Sequence, residues 1–522
     1  MAIRKKTAAL GGFTVLTLIL ASCATSGGGS KDSGKSGDVK TEITARYSAA
    51  PSTFNPSQLN GLDDYSTARL LYETLLRYNT EGEIVGALAT EWETTATGGT
   101  FTISKDGVCG DGTAITPSIV ADSLSYLSDP ANLSTQKALV FGAGDVTVTA
   151  DDAAGTVTIT LSEPFSGLQA GLTTPSAGII CPAGLENPDS LKSDPDPGAF
   201  SGAYSLVSAK PGVEYQYKLR KEYVWPQWQK DLEGEPAQTL TFTVGVDPTA
   251  AENEIKSGSL DVGMVSLANL DSFENRAEIE IGEAFILFNE SAGSPFQDIE
   301  KRRAVAGLVS GEEFSEVTYA GHAQVNYTAG SPKLQCANTD PELLVPFDPQ
   351  AVIDSGVLKD VEITYSSSNL FGPNGAGSEY VFQQLEKAGA KVTYNLHDNN
   401  AWVADVMGPD PTTWDVTIFI TVNNAISLWN PLSLMLGTPI EAGGRNMVRS
   451  DNPAGNELAG LALSANSDEE MCDQYLKLQQ NLLERIDFVP LSSATVFYGL
   501  TEKIRYTGAA KHDDMTTLRI VN

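Results

Sequence analysis

Two segments of the chain predict a strand, then a helix, then a second strand, and this order leaves few folds open. The first segment reads TFTVGVDPTAAENEIKSGSLDVGMV, in which Asp247 is expected to cap a helix that begins at Pro248 and stops at Gly258. The second reads VEITYSSSNLFGPNGAGSEYVFQQLEKAGAKVTYNL, and its helix is expected to run to Gly389. Helical crossovers of this kind join parallel strands. The chain is therefore predicted to be an α/β protein.

Shorter signals add antiparallel strands and further helices. Valines and threonines alternate over residues 146–149, DDAAG turns the chain, and the alternation resumes up to Leu161, which predicts a hairpin. Thr116 is expected to cap a helix that begins at Pro117, and Ser467 begins a capping box for another helix. These signals predict mixed α and β structure along most of the chain.

The first 22 residues have the order of a secretory signal. Basic residues at positions 4–6 precede an uncharged run from Thr7 to Ser22, which falls short of the roughly 20 apolar residues of a spanning helix. The residues at 20–22 stand directly before Cys23 and resemble the lipobox of bacterial lipoproteins, which implies a diacylglycerol on the Cys23 thiol. An ordinary signal followed by a chance cysteine is the alternative. Residues 23–40, rich in Gly and Ser, are predicted to be a flexible tether.

Composition limits the class of partner. The chain has 522 residues, which is too long for a single core and enough for two or more domains. Its 34 Lys and Arg stand against 66 Asp and Glu, and the formal net charge is −32. A chain of this charge repels polyanions, so no nucleic-acid partner is expected.

Four cysteines remain besides Cys23, and an even number in an exported chain favours disulfides. Four cysteines allow three pairings. We favour Cys109 with Cys181 and Cys336 with Cys472, because each pair would then staple one half of the chain. A zinc site is the competing interpretation, but no two of these cysteines have the short spacing of structural zinc sites.

Six sequence landmarks follow one another in a familiar order. They read STFNP, LLYETLLRYNTEGEIVGALATEWETTATGGTFTISKDGVCGDGTAITPSIVADSL, FSGAYSLV, IKSGSLDV, FNESAGSPFQDIEKRRAVA and LLERIDFVPL. Together they resemble the family 5 solute-binding proteins of ABC importers, which include oligopeptide, dipeptide and nickel receptors. The resemblance runs from about Thr41 to the end of the chain and is most specific over Leu71–Leu124.

The resemblance implies a class II periplasmic-binding-protein fold of the cluster C type. Such a protein has two α/β lobes, a hinge of two strands and an extra subdomain in lobe one. Lobe one would comprise residues 41–287 and 488–522, and lobe two residues 288–487. The implied partners are a short peptide or other small solute and the permease subunits of an ABC transporter. No cofactor is expected, and we expect a monomer.

The resemblance also implies where a ligand would bind. Peptide receptors of this family line the cleft with an aromatic residue, a strand and an acid that pairs with the free amino terminus of the peptide. Trp402 matches the aromatic position, and the acid would fall at Asn424. The stretch from Val416 to Pro439 contains no carboxylate. Because an amide stabilises a buried ammonium less than a carboxylate does, anchoring of the amino terminus departs here from the family pattern.

The predicted ligand-binding residues lie at strand ends and at two tryptophans. An extended ligand could pair with the backbone of the strand TIFITV as an added strand. The competing interpretation is that this strand and the tryptophans belong to the core. The predicted set comprises Ala49, Ala50, Val265, Ser266, Trp402, Thr421, Val422, Asn423, Asn424 and Trp429.

Other functions remain as alternatives. A metal chelate or an oligosaccharide could be the solute, although His322, His397 and His512 include no pair with metal-site spacing. A hydrolase is disfavoured, because the nearest approach to a nucleophile elbow, GLVSG, places its serine at the fourth position. A scaffold role does not explain the ordered landmarks. The sequence therefore predicts a non-enzymatic receptor for a short peptide, held by its lipid on the outer face of the cell membrane.

Overall fold

One large mixed sheet runs through the protein. The computed structural model describes residues 40–245, 247–423, 425–442, 444–509 and 513–522, without the side chain of Asn400. The predicted signal, Cys23 and nearly all of the predicted tether lie outside these residues.

The strands are short except for two. In chain order they are β1 (Glu42–Tyr47), β2 (Leu76–Tyr78), β3 (Ile84–Gly86), β4 (Ala89–Thr95), β5 (Gly98–Ile103), β6 (Val146–Asp151), β7 (Thr156–Leu161), β8 (Tyr204–Lys210), β9 (Glu214–Leu219), β10 (Thr239–Val244), β11 (Val262–Met264), β12 (Arg276–Phe288), β13 (Glu362–Ser368), β14 (Lys391–His397), β15 (Val416–Val422), β16 (Phe488–Leu500), β17 (Ile504–Arg505) and β18 (Arg519–Ile520).

The helices cover the faces of the sheets. In chain order they are α1 (Leu62–Leu71), α2 (Pro117–Ser128), α3 (Lys137–Phe141), α4 (Leu168–Gly171), α5 (Pro182–Glu186), α6 (Gln227–Lys230), α7 (Pro248–Ser257), α8 (Ile299–Leu308), α9 (Gly311–Tyr319), α10 (Pro349–Ser355), α11 (Ala376–Lys387), α12 (Asn399–Val406), α13 (Trp429–Leu432), α14 (Pro453–Leu463) and α15 (Asp468–Arg485). Among the described residues, none of the helices combines the length and the hydropathy that a membrane span requires.

The local signals in the sequence produce the predicted elements. Thr116 caps α2 by accepting the N–H of Ile119, Asp247 caps α7, and Ser467 caps α15 by accepting the N–H of Glu470. The predicted hairpin is β6 and β7, paired antiparallel. Both predicted crossovers join parallel strands: β13 pairs with β14, while β10 and β11 flank β1 on either side. The prediction of an α/β fold is confirmed.

The large sheet has ten strands within the described residues, in the order β14-β13-β15-β12-β16-β11-β1-β10-β9-β8. Strands β1 and β8–β11 form the lobe-one half, and β13–β15 form the lobe-two half. The strands β12 and β16, of 13 residues each, lie between the halves and pair with each other along most of their length. Strand β15 pairs with the end of β12 from Gly282 onward, and β11 pairs with the end of β16 from Tyr498 onward. Two crossing strands therefore connect the lobes.

Lobe one carries an extra subdomain, as predicted. A separate four-stranded sheet, in the order β4-β5-β7-β6, packs against α2 around its own hydrophobic cluster. The disulfide Cys109–Cys181 belongs to this cluster. The second disulfide, Cys336–Cys472, joins the segment after α9 to α15 in lobe two. The favoured pairing of the cysteines is confirmed.

Candidate functional site

A cleft of about 1240 Å³ lies where the two lobes and the crossing strands meet. Its walls come from three parts of the chain. Lobe one supplies Ser52, Thr53, Gln58, Leu59, Asn60, Gly61, Tyr65, Thr135, Gln136, Lys192 and Met264; the crossing strands supply Ile281, Ala494, Thr495 and Val496; lobe two supplies Tyr319, Leu370, Phe371, Asn399, Trp402, Val403, Met407, Phe419, Ile420, Val422 and Arg445.

Trp402 anchors the lobe-two wall. It lies on α12, which Asp398 caps by accepting the N–H of Ala401. Its Nε1–H donates to Thr417 Oγ1 at 3.0 Å, and its ring lies 5.7 Å from Phe371 and 5.3 Å from Phe419, measured between centroids. Only 4% of Trp402 is exposed, so its ring is chiefly part of the lobe-two core and reaches the cleft with one edge.

Apolar side chains on the same wall are much more exposed. Leu370 is 58% exposed, Met407 41% and Val422 38%, although all three are large and hydrophobic. They line the cleft together with the half-buried Ile420 and Val403. Exposed apolar side chains that line a cleft are typical of a ligand-binding site.

The charges on the described cleft walls are positive. Arg445 and Lys192 line the cleft, and no Asp or Glu does so among the described residues. Arg445 donates a hydrogen bond to Asn430 Oδ1 at 3.1 Å, while the ammonium of Lys192 lies 2.8 Å from Asp189 on the surface. The local balance of charge is therefore opposite to that of the whole chain.

Hydrogen bonds fix the lobe-one wall. The Tyr65 hydroxyl donates to Gln136 Oε1 at 2.8 Å, and Gln136 Nε2 donates to the carbonyl of Leu59 at 2.9 Å. The buried Asp64 carboxylate accepts from the N–H and hydroxyl of Ser52, each at 2.6 Å, and from the N–H of Asn60 at 2.8 Å. These bonds hold polar loop residues in place on the side of the cleft opposite Trp402.

The lobes also touch beside the cleft. Ser166 of the subdomain donates its N–H to the carbonyl of Leu463 at 2.7 Å and its hydroxyl to the carbonyl of Ala462 at 2.9 Å, both at the end of α14. The Tyr78 hydroxyl reaches the carbonyl of Ala425 at 3.4 Å. Lobe-to-lobe bonds of this kind break whenever the lobes separate.

The structure places two of the predicted binding residues, Trp402 and Val422, on the cleft wall. Their neighbours Thr421 and Asn423 lie instead against the buried Glu283 of β12. Asn423 Nδ2 donates to Glu283 Oε1 at 3.0 Å, and Thr421 Oγ1 donates to Oε2 at 3.4 Å. These bonds hold Thr421 and Asn423 against β12, whereas Val422 reaches the cleft wall.

The other predicted residues do not line this cleft in the structure. Ala49 donates its N–H to Asp63, Ala50 packs against the lobe-one core, and Val265 is buried. Ser266 donates to Glu252 through both N–H and hydroxyl. Trp429 packs between the core of lobe two and that of the subdomain. Asn424 lies outside the described residues.

Glu283 is the acid that the sequence prediction did not anticipate near this strand. Burial raises its pKa to about 8, hydrogen bonds from Asn423 and Thr421 oppose the rise, and the charge of Glu280 adds to it. Glu280 itself pairs with Lys333 at 2.9 Å. Glu283 is fully buried and absent from the cleft wall, so it acts on the packing of β12 against β15.

Some cleft residues could have been found from the sequence and others could not. Met264 lines the cleft one position before the predicted pair Val265 and Ser266, and strand alternation would have flagged it as the alternative. Arg445 and Tyr65 carry no local signal, because their place on the wall depends on how distant segments fold together.

A chain with two α/β lobes, two crossing strands and a cleft between the lobes belongs to the class of periplasmic-type solute-binding proteins. Residues 83–438 match the family described as bacterial extracellular solute-binding proteins, family 5 Middle. Since that match covers more than half of the chain, the protein belongs to this family.

Known proteins resemble the chain over nearly its whole length. A substrate-binding protein from Microbacterium hydrocarbonoxydans, crystallised with 4-hydroxybenzoate hydrazide, is 34% identical with a TM-score of 0.80, covering 92% of this chain and 100% of that one. The glutathione-binding protein GsiB of Shigella dysenteriae is 22% identical over 500 residues, 91% of each chain. OppA of Haemophilus influenzae, in complex with RPPGFSPFR, is 14% identical with a TM-score of 0.72, covering 93% of this chain and all of that one, and shares the fold.

Proposed function

We propose that this protein is an extracytoplasmic receptor that captures a short peptide or a peptide-like amide between its lobes and delivers it to an ABC importer. The observation that carries the proposal is the cleft of about 1240 Å³, which draws its walls from both lobes and from both crossing strands. A ligand that contacts both lobes favours the closed arrangement by its higher affinity for that state. The receptor changes no covalent bond in its ligand.

The volume supports a ligand of peptide size. Pockets for drug-sized molecules are about 300–1,000 Å³, and this cleft exceeds that range. A peptide of a few residues fits, and so does a smaller solute accompanied by water. On one edge β15 pairs with β12 along Gly282–Phe288, whereas on its other edge the pairing with β13 is at Val416. An extended ligand could therefore pair with that second edge as an added strand.

A small aromatic amide is the second candidate ligand. The relative that is 34% identical was crystallised with 4-hydroxybenzoate hydrazide. In this chain the cleft wall combines the Trp402 edge with Phe419 and exposed apolar side chains. A planar acyl compound would pack against such a wall and leave its polar end for the opposite, hydrogen-bonding side.

The cellular location and the lipid attachment proposed for the receptor are inferred from its sequence. We place the mature start at Cys23, with residues 23–40 as a tether between the lipid and the lobes. Two or more acyl chains hold a protein at a bilayer far better than one. We also propose that lobe one comprises residues 41–287 and 488–522 and lobe two residues 288–487, so that the boundaries fall at the lobe-two ends of the crossing strands. We propose that the receptor acts as a monomer.

Three measurements test the proposal. Peptide and aromatic-amide libraries should include solutes that raise the melting temperature, since a ligand that binds the native state stabilises it. Small-angle scattering should show a smaller radius of gyration with such a solute, and mass spectrometry should recover that solute chemically unchanged after incubation. An unaltered scattering curve with every stabilising solute, or the build-up of a cleavage product, would contradict the receptor role.

A further inference from the structure

We propose that the cleft selects solutes with an apolar body and a carboxylate or similar anionic group, and disfavours solutes with a free ammonium group. This inference rests on the proposed function, because it names the chemistry of the ligand at the same site. It is carried by the charges and the exposed apolar surface of the cleft walls.

Arg445 supplies the group that would meet an anion. A guanidinium has five N–H donors, and the bond to Asn430 Oδ1 at 3.1 Å uses one of them. Arg445 is exposed on the cleft wall, so the donors that no described residue engages can reach a ligand. Two parallel N–H groups of one guanidinium fit the two oxygens of a carboxylate, and such charge-assisted bonds are about twice as strong as neutral ones.

An ammonium group would find no matching carboxylate on the described walls. Two acids that bond to wall residues are already engaged: Asp64 accepts three hydrogen bonds from the loop at Ser52 and Asn60, and Asp189 pairs with Lys192. A charge that leaves water without a partner binds poorly. The engagement of these acids therefore disfavours the free amino terminus of a peptide.

A small chamber beside the cleft carries charges of both signs. It shares Tyr65 and Ile281 with the cleft and has a volume of about 40 Å³. Its lining includes the acids Glu280, Asp513 and Asp514 and the bases Arg69 and Arg77. Glu280 is bound to Lys333 at 2.9 Å, and Arg77 pairs with Asp514. Because acids and guanidinium groups both line the chamber, its charge favours neither an ammonium nor a carboxylate.

The apolar part of the ligand would lie on lobe two. Leu370, Met407 and Val422 are exposed there by 58%, 41% and 38%. Covering such side chains with an apolar group removes their surface from water, which favours binding in proportion to the area. A ligand that is charged at both ends would not cover these apolar side chains, which would remain exposed to water.

Four dipeptides separate the two ends of the ligand. Leucyl-phenylalanine, its N-acetyl form, its carboxyl amide and the form with both changes would be titrated calorimetrically against the full mature chain. N-acetylation should leave affinity unchanged or raise it, whereas amidation of the carboxylate should weaken binding about tenfold or more. Arg445→Gln should abolish the difference between acid and amide, and Arg303→Gln, at an exposed arginine of lobe two outside the cleft, should preserve it.

The outcomes distinguish this inference from the receptor role. Tighter binding of the free-amine forms, or an equal loss of acid and amide binding in Arg445→Gln, overturns the preference and leaves a receptor. If none of the four dipeptides binds, native mass spectrometry of the purified protein would identify the solute that the protein has captured. A captured ammonium-free anion supports the inference, a captured cation overturns it, and the capture of no solute overturns the receptor role with it.

Discussion

The buried carboxyl of Glu283 gives a prediction whose size follows from its surroundings. Burial raises its pKa from 4.5 to about 8, so between these pH values the native chain holds a proton that the unfolded chain has released. Unfolding then releases a proton, and stability falls as pH rises through this window, by about 1.4 kcal/mol per pH unit. From pH 5 to pH 7.5 the loss attributable to Glu283 is roughly 3 kcal/mol.

Glu283→Gln removes this ionisation and retains the packing. The glutamine oxygen can accept from Asn423, and its amide can donate to the Thr421 hydroxyl, so both neighbours keep a partner. At pH 5 the variant and the wild type should therefore differ by less than about 1 kcal/mol. At pH 7.5 the variant should be more stable by roughly 3 kcal/mol, since it escapes the cost of releasing the proton.

Urea unfolding followed by tryptophan fluorescence at pH 5, 6, 7 and 7.5 measures this difference. Acids that do not interact with Glu283 titrate equally in both proteins, so the difference between variant and wild type reports Glu283 together with its coupling to Glu280. Glu283→Leu is the control, because it removes the charge together with both hydrogen bonds and should lose stability at every pH. A difference between Glu283→Gln and wild type that stays constant from pH 5 to pH 7.5 would refute the assignment of a raised pKa.

Further expectations concern the lobe-two wall and its disulfide. Trp402→Ala should lower the free energy of unfolding by about 3–5 kcal/mol, because the side chain is almost fully buried; a loss below about 1 kcal/mol in urea unfolding would contradict this. Met407→Ala, at an exposed position, should leave the melting temperature unchanged and weaken solute binding in calorimetry; equal affinity would remove Met407 from the site. Cys336→Ser with Cys472→Ser should cost about 2–5 kcal/mol in urea, and no change in midpoint would contradict a stabilising cross-link.

The fold followed from the sequence because its signals are local. The residues that cap α2, α7 and α15 bond to N–H groups two or three positions away, so sequence order alone identifies them. The same holds for the hairpin of β6 and β7, whose alternation and turn lie within 16 residues. The family resemblance supplied the two lobes, which no local pattern predicts.

The binding site was predicted less well than the fold, because it depends on which side chains of a strand reach the cleft. Alternation in β15 separates Val422 from Thr421 and Asn423, but only the position of β12 determines that Glu283 lies on the side of the latter two. Arg445 and Tyr65 meet the same space from segments almost 400 residues apart, a distance in sequence that no motif bridges. Trp402 was predicted to line the cleft and does so, although most of its side chain is buried in the core of lobe two.

The placement of the two disulfides bears on how the molecule responds to a reducing environment. One lies in the subdomain and the other in lobe two, so neither ties one lobe to the other. The disulfides can thus stabilise the subdomain and lobe two separately. The movement of one lobe relative to the other depends instead on the two crossing strands and on bonds such as those of Ser166. Reduction of the disulfides should accordingly lower the stability of the subdomain and of lobe two before it affects closure of the lobes.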